Sequence, residues 1–333
     1  MTAGATRRVG TTVGAAEAGR RLDLWLAARL PDLSRTRIKA LVGAGRVTVD
    51  GAATKAAHRL KDGERVEIVV PPKAKEEMAP EAIPLTIVFE DAHVLVLDKP
   101  AGMVTHPGEG RSTGTLAAAA LAHAPEIAGV GGPRRPGIVH RLDKGTSGLI
   151  VLAKSRHAYD SLTAQLQRRT MSRRYLCLAH GALAKQDGMI DAPIARDPRS
   201  RVRMAVARAG TGRRAVTRFR ALERFAGYTY LECRLETGRT HQIRVHLASL
   251  GHPLVGDTTY GARRARQPDT LPADLVENLG GVALHAAGLS FLHPATGETV
   301  DLSSPLPNRI ARLLSHLRDI HPQHASRHVD RGR

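Results

Sequence analysis

Positions 135–154 read RPGIVHRLDKGTSGLIVLAK. The run Leu149-Ile150-Val151-Leu152-Ala153 is short, apolar and preceded by turn residues, the pattern of a buried strand. Directly before it stand His140, Arg141, Asp143 and Lys144, set among Gly137, Gly145 and Gly148. Charges at the mouth of a buried strand cost free energy unless they are paired or used.

Outward from this stretch, further strands are expected in LTIVFEDAHVLVLDKP (85–100), on either side of Asp91-Ala92, and in RRYLCLAHG (173–181). Two more fall at about 215–223 and 228–236, and others in GVALHAAGLSFLHP (281–294) and ETVDLSSP (298–305). Ser155 can cap a helix with Ala158, Leu162 and Leu166 inward. HQIRVHLASLG (241–251) predicts a helix with Ile243, Leu247 and Leu250 on one side and Gly251 as its stop. Regular βαβ alternation is absent, so the class is α+β.

The front of the chain differs. Residues 1–18, rich in Gly, Ala and Thr, read as a flexible tail. Within 19–71, Leu22, Trp25, Leu26 and Leu30 repeat at helical spacing up to Pro31. Ser34 can cap a second helix with the apolar stripe Ile38, Leu41 and Val42 and the cationic residues Arg35, Arg37 and Lys39. Strands are expected at 46–49 and 65–70. The Pro-bearing charged stretch 72–84 reads as a linker, 85–320 as the large domain and 321–333 as a basic tail.

The 333 residues carry a formal net charge of +19, which attracts polyanions, nucleic acid being the usual one. A membrane surface is the rival polyanion, but there is no Lys-rich amphipathic helix with a bulky apolar face. No apolar run approaches the roughly 20 residues that span a bilayer. Cys177 and Cys233 are the only cysteines and have no metal-ligand spacing. A soluble, cytoplasmic, monomeric protein is expected.

Asp143 could be a structural ion pair in a turn, as a lone Asp often is. Against that stands a second polar group, LETGRTHQIRVHLASLGHPLVGDTTYG (235–261), which puts Arg239, Thr240, His241, Gln242 and Arg244 where a strand turns into a helix. A helix start favours anions, and an Arg there could hold an opposing carboxylate ionised. Rival motifs are weak. Gly129-Val130-Gly131-Gly132 opens no helix, and GxxxxGK[ST], HExxH and GxSxG do not occur. The 16 His form no cluster with ligand spacing, so no metal is expected.

HRLDKGTSG (140–148) resembles the signature of the RluA-type pseudouridine synthases. LDKPAGMVTHPG (97–108), RRYLCLAHG, TGRTHQIRVHLASLGHPLVGDTTYG and LHAAGLSFLHP (284–294) follow in that family's order. The helix pair and β-ribbon in front resemble the S4 RNA-binding domain, the arrangement of the RluD-like branch. The resemblance implies a large mixed, mainly antiparallel sheet with flanking helices and a central catalytic cleft. It implies isomerisation of uridine in RNA, breaking N1–C1′ and forming C5–C1′, without cofactor or metal. By motif, Asp143 is the catalytic carboxylate and Arg244 its partner. Tyr175 packs on the uracil, and Arg141 takes the place of the flipped-out base. His106 matches the family, and Arg35, Arg37 and Lys39 are candidate RNA contacts. Arg173 and Cys177 depart from the pattern, standing where Lys and Ala are common. Large-subunit ribosomal RNA is the expected substrate. The alternative is a non-catalytic RNA- or ribosome-binding S4-domain protein.

Overall fold

The computed structural model describes residues 6–71, 78–108, 113–200, 202–208, 210–261 and 271–321. The chain divides into two compact units, Met1–Lys75 and Glu76–Arg333.

In the first unit, strand β1 (Arg7–Thr12) precedes helices α1 (Leu22–Arg29) and α2 (Arg35–Gly43). Strands β2 (Val47–Val49), β3 (Ala52–Ala53) and β4 (Arg65–Val70) follow, and the sheet order is β1-β4-β2-β3. Both helices form as their apolar spacing predicts, and Ser34 Oγ accepts from Arg37 N at 3.2 Å. Leu22, Trp25, Leu26, Ile38, Leu41, Val47, Val66 and Ile68 make one core. The expected tail needs correction, because Arg7–Thr12 is an edge strand that pairs antiparallel with β4 over its whole length. Its apolar signal is a single Val9 against the core; backbone pairing, which composition does not report, holds the rest.

The second unit is built on a nine-stranded sheet. It holds β5 (Ile87–Glu90), β6 (Val94–Lys99), β7 (Ser147–Ala153), β8 (Ser172–His180) and β9 (Asp187–Asp191). A separate ribbon pairs β10 (Ile194–Arg196) with β11 (Met204–Val206). The main sheet continues with β12 (Val216–Phe225), β13 (Tyr228–Leu235), β14 (Leu284–Leu292) and β15 (Thr299–Ser303). The order is β5-β6-β7-β14-β8-β13-β12-β9, with β15 also on β14. Pairing is antiparallel except between β7 and β14, where His285 stands opposite Ser147.

Helices α3 (Leu116–His123), α4 (Arg156–Arg168), α5 (Gln242–Ser249), α6 (Ala273–Glu277) and α7 (Asn308–Ile320) complete the unit. β7 is buried along its whole length because both of its faces are covered, as its unbroken apolar run requires. Leu95, Leu97, Ile150 and Leu152 enter one core with Tyr175 and Ile243. Val94, Val96, Leu149 and Val151 face a second core with Ala158 and Leu162 of α4. Ser155 caps α4 through Oγ, accepting from Ala158 N at 3.2 Å. Leu250, expected on the apolar side of α5, falls one residue past the helix and is 48% exposed. Residues 322–333 of the expected tail and 72–77 of the expected linker lie outside the described residues.

Candidate active site

The turn carrying Asp143 is fixed from several directions. Thr105 Oγ1 donates to Leu142 O at 2.7 Å, Thr146 N to Asp143 O at 3.0 Å, and Gly102 N to Lys144 O at 2.7 Å. Val282 N donates to Gly145 O at 3.2 Å, tying the turn to the segment before β14. Gly148, at φ +112°, backs directly onto Ala286 of β14; a Cβ there would stand 2.6 Å from Ala286 N. Lys99 is fully buried beneath this turn, its Nζ donating to Pro100 O at 2.7 Å and Met103 O at 2.9 Å. Burial brings its pKa down to about 7, the Asp143 carboxylate pulling the other way.

From α5, Arg244 Nη1 donates to Asp143 Oδ2 at 3.2 Å. Asp257 holds the other side of that guanidinium as a fork, accepting from Nε at 2.7 Å and Nη2 at 2.9 Å. Asp257 also accepts from Thr259 N and Tyr260 N, so its turn is fixed by the same carboxylate. Burial works against the Arg244 charge, but the two carboxylates outweigh it and raise its pKa. Tyr260 lies under Arg244, with the guanidinium carbon 5.1 Å from the ring centroid, and its hydroxyl is 2.9 Å from His241 Nδ1. His241 Nε2 is 4.0 Å from Asp143 Oδ1. The cation in the first turn of α5 thus serves Asp143.

Asp143, His241 and Arg244 line a cavity of about 540 Å³, within the range of a ligand pocket. Asp143, Tyr175, Arg244, Arg141 and His106, the site residues expected in the large domain, all line it. Tyr175 is buried in the wall with Leu142, Ile243 and Leu284 beside it. Burial pushes its phenol above the usual range, opposed by Arg173 and reinforced by Asp143. Arg141 is exposed, and His106 is buried with Nδ1 3.0 Å from Pro107 O. Burial lowers the His106 pKa against that carbonyl, and Arg135 and Arg141 lower it further.

Arg35, Arg37 and Lys39 lie on α2 of the first unit. Arg35 Nη2 is 2.9 Å and Lys39 Nζ 3.8 Å from Asp23, whose side chain is fully buried. Two of the three cations are therefore committed in part to an internal charge, while Arg37 is exposed.

Sequence reasoning did not assign Asp257, Tyr260, His241, Arg173 or Lys99 to the site. Asp257 sits in a Val-Gly-Asp-Thr-Thr-Tyr-Gly turn, where an Asp is already explained by turn chemistry. Among the described residues, no group of three or more His, Cys, Asp or Glu could hold a metal ion, and no helix is long and apolar enough to cross a membrane.

His140 provides a pH test of the wall. Its Nε2 accepts from Val151 N at 3.2 Å, and burial, with the Arg173 charge adding, presses its pKa from 6.5 down to about 3. Between those values the unfolded chain binds a proton that the fold refuses, so stability falls as pH drops through this window. The expected loss is about 2 kcal/mol between pH 7 and pH 5. Urea midpoints should show it, and His140→Gln, which keeps an acceptor for Val151, should flatten that part of the profile.

The RNA pseudouridylate synthase family model matches residues 93–249, and the S4 domain model matches residues 20–66. The chain is 43% identical over 311 residues to the uncharacterized RNA pseudouridine synthase YlyB of Bacillus subtilis, covering 93% of this chain and 98% of that one. It is 47% identical over 314 residues to the ribosomal large subunit pseudouridine synthase D of Neisseria meningitidis serogroup A, covering 93% and 82%. Among solved structures, human RNA pseudouridylate synthase domain containing 4 superposes with a TM-score of 0.53 at 26% identity, covering 70% of this chain and 93% of that one. With the expected α+β fold, the cavity and the motif residues gathered in it, these likenesses lead to one assignment: the chain belongs to the RNA pseudouridylate synthase family and carries an S4 domain ahead of its catalytic unit.

Proposed function

We propose that this enzyme isomerises uridine in large-subunit ribosomal RNA, acting in the cytoplasm as a monomer, with Asp143 as its catalytic carboxylate. The observation that carries the reading is the Asp143–Arg244 contact at 3.2 Å inside a cavity walled by Tyr175. The ribosomal substrate comes from the names of relatives such as the Neisseria protein.

The reaction detaches uracil at N1–C1′, turns it, and rejoins it at C5–C1′; the C5 proton is lost and N1 gains one, so no atoms are gained or lost. An ionised carboxylate suits either route to the first step, attack on C1′ or removal of a sugar proton. Arg244, held on its other side by the Asp257 fork, sets a fixed positive charge against the Asp143 carboxylate. Tyr175 offers its ring face to the uracil and its hydroxyl to the region of C5. The target must leave the base stack, at a cost of a few kcal/mol. Exposed Arg141 at the cavity is suited to fill the space it vacates. A half-buried carboxylate that lines a cavity and faces a doubly held arginine supports the catalytic reading over that of a protein that only binds RNA.

The test is tritium release from a large-subunit rRNA transcript labelled at uridine C5, followed by mapping of the modified position. Release with pseudouridine at a defined site is expected. Binding without release, on this RNA and on transfer RNA, would overturn the proposal in favour of a binding protein.

Helix α2 gives a second, separable expectation. Arg37→Gln should reduce the slope of log affinity against log salt by about one, as for one lost phosphate contact, with melting unchanged. Arg35→Gln should also lower the melting temperature, because it strips a partner from buried Asp23. Salt titrations and thermal melts of the two variants check this.

A further inference from the structure

Arg173 stands in β8, two residues before Tyr175 and on the same side of the strand, and lines the same cavity. It is only 7% exposed. Among the described residues it makes no ion pair or hydrogen bond, and its Nε is shut off from water without a partner. A guanidinium in that position is costly, because desolvation is not offset by any acceptor. His140 adds a second unanswered donor. Its Nε2 accepts from Val151 N, so the hydrogen of the neutral ring is on Nδ1, which is buried and unpartnered. Thr163 of α4, also in the lining, has an unpartnered buried hydroxyl.

Gly238 makes room for this arrangement. A Cβ there would stand 2.6 Å from Arg173 Nη1, while the glycine's own φ is not in the left-handed region. The absent side chain is required by the guanidinium and not by the backbone.

The missing partner is an anion. Arg135, Arg141, Arg169, Arg173, Arg239 and Arg244 line the cavity against Asp143 and Glu236 alone. Arg244 already claims Asp143, and Arg218 holds Glu236 at 2.7 Å. The uracil itself is neutral and finds flat apolar walls in Tyr175, Leu142 and Ile243. What an RNA substrate brings beside each base is a phosphodiester, which the planar fork of an arginine fits. We propose that Arg173 binds the phosphate next to the reacting uridine, with the His140 and Thr163 donors at the same subsite. This rests on the cavity being the place where uridine is turned over.

The experiment uses the full chain and a stem-loop RNA containing the mapped uridine. Its flanking phosphates are natural, or replaced singly by an uncharged methylphosphonate on the 5′ or the 3′ side. Wild type should lose about tenfold in affinity to one of the two substitutions. Arg173→Met should bind natural RNA about tenfold more weakly, lose nothing more to that methylphosphonate, and keep kcat while KM rises. It should also melt above wild type, since it removes an unpaired buried charge. Gly238→Ala, which displaces the guanidinium, should reproduce the binding loss. If the Arg173→Met and methylphosphonate losses add, or if Arg173→Met melts lower with binding intact, the phosphate contact is wrong. Because the comparison is read in affinity, it stands apart from turnover: tight binding with no tritium release on any RNA would strike the proposed reaction instead.

Discussion

Asp143→Asn is expected to lower turnover by about 10⁴-fold while leaving RNA affinity within about threefold of wild type. The substitution keeps the shape of the side chain and an oxygen for Arg244 Nη1, now 3.2 Å away. It removes the negative charge and the basicity, which either route through the first step requires. The cavity should survive, since the turn is held by Thr105 and the backbone of Gly102 and Val282 rather than by the Asp143 carboxylate. Affinity should not fall, because the phosphate-facing cations are untouched and one repelling carboxylate is gone. Single-turnover tritium release beside filter binding decides the matter. A variant that turns over like wild type would remove Asp143 from the chemistry; one that loses binding and turnover together would make it a structural residue.

Asp257→Ala should have the largest effect on stability, about 3–5 kcal/mol, seen as a fall of about 10 °C in the melting temperature. The Asp257 side chain is fully buried and accepts from two Arg244 nitrogens and from Thr259 N and Tyr260 N. Alanine leaves all four donors without it and leaves Arg244 inside the protein with Asp143 as its only carboxylate. Turnover in the folded fraction should drop about 100-fold, because a guanidinium held on one side no longer has one position. Asp257→Asn, which keeps one acceptor oxygen, should lie between. If Asp257→Ala melts like wild type, the fork contributes nothing, and the account of how Arg244 is held fails.

The catalytic unit was legible where chemistry and periodicity coincide in a short span. β7 follows from five consecutive apolar residues, and α4 from Ser155 with its inward stripe. The five candidates of the large domain share one cavity because the sheet brings their separate motifs together. What stayed hidden depends on distance along the chain. The Asp257–Arg244 fork joins two motifs whose local patterns are each satisfied without the other. Arg173 read as a minor departure within a strand, since no pattern of neighbours announces that a charge will be buried and unanswered. β1 was lost for the opposite reason. Its partner in β4 supplies order that Arg, Gly and Thr do not advertise.

The parallel pairing of β7 with β14 has a consequence for the order of events as the chain folds. Ser147, at the foot of the Asp143 turn, meets His285 across 138 residues, its Oγ 2.9 Å from His285 Nδ1. Closing so long a loop is slow compared with forming hairpins such as β12–β13. On a ribosome, Asp143 is synthesised well before the strand that steadies its turn, so the first unit can fold as a compact body while the second still lacks a working site. The fold thereby times the site: the Asp143 turn is complete only after β14 has been made and threaded between β7 and β8.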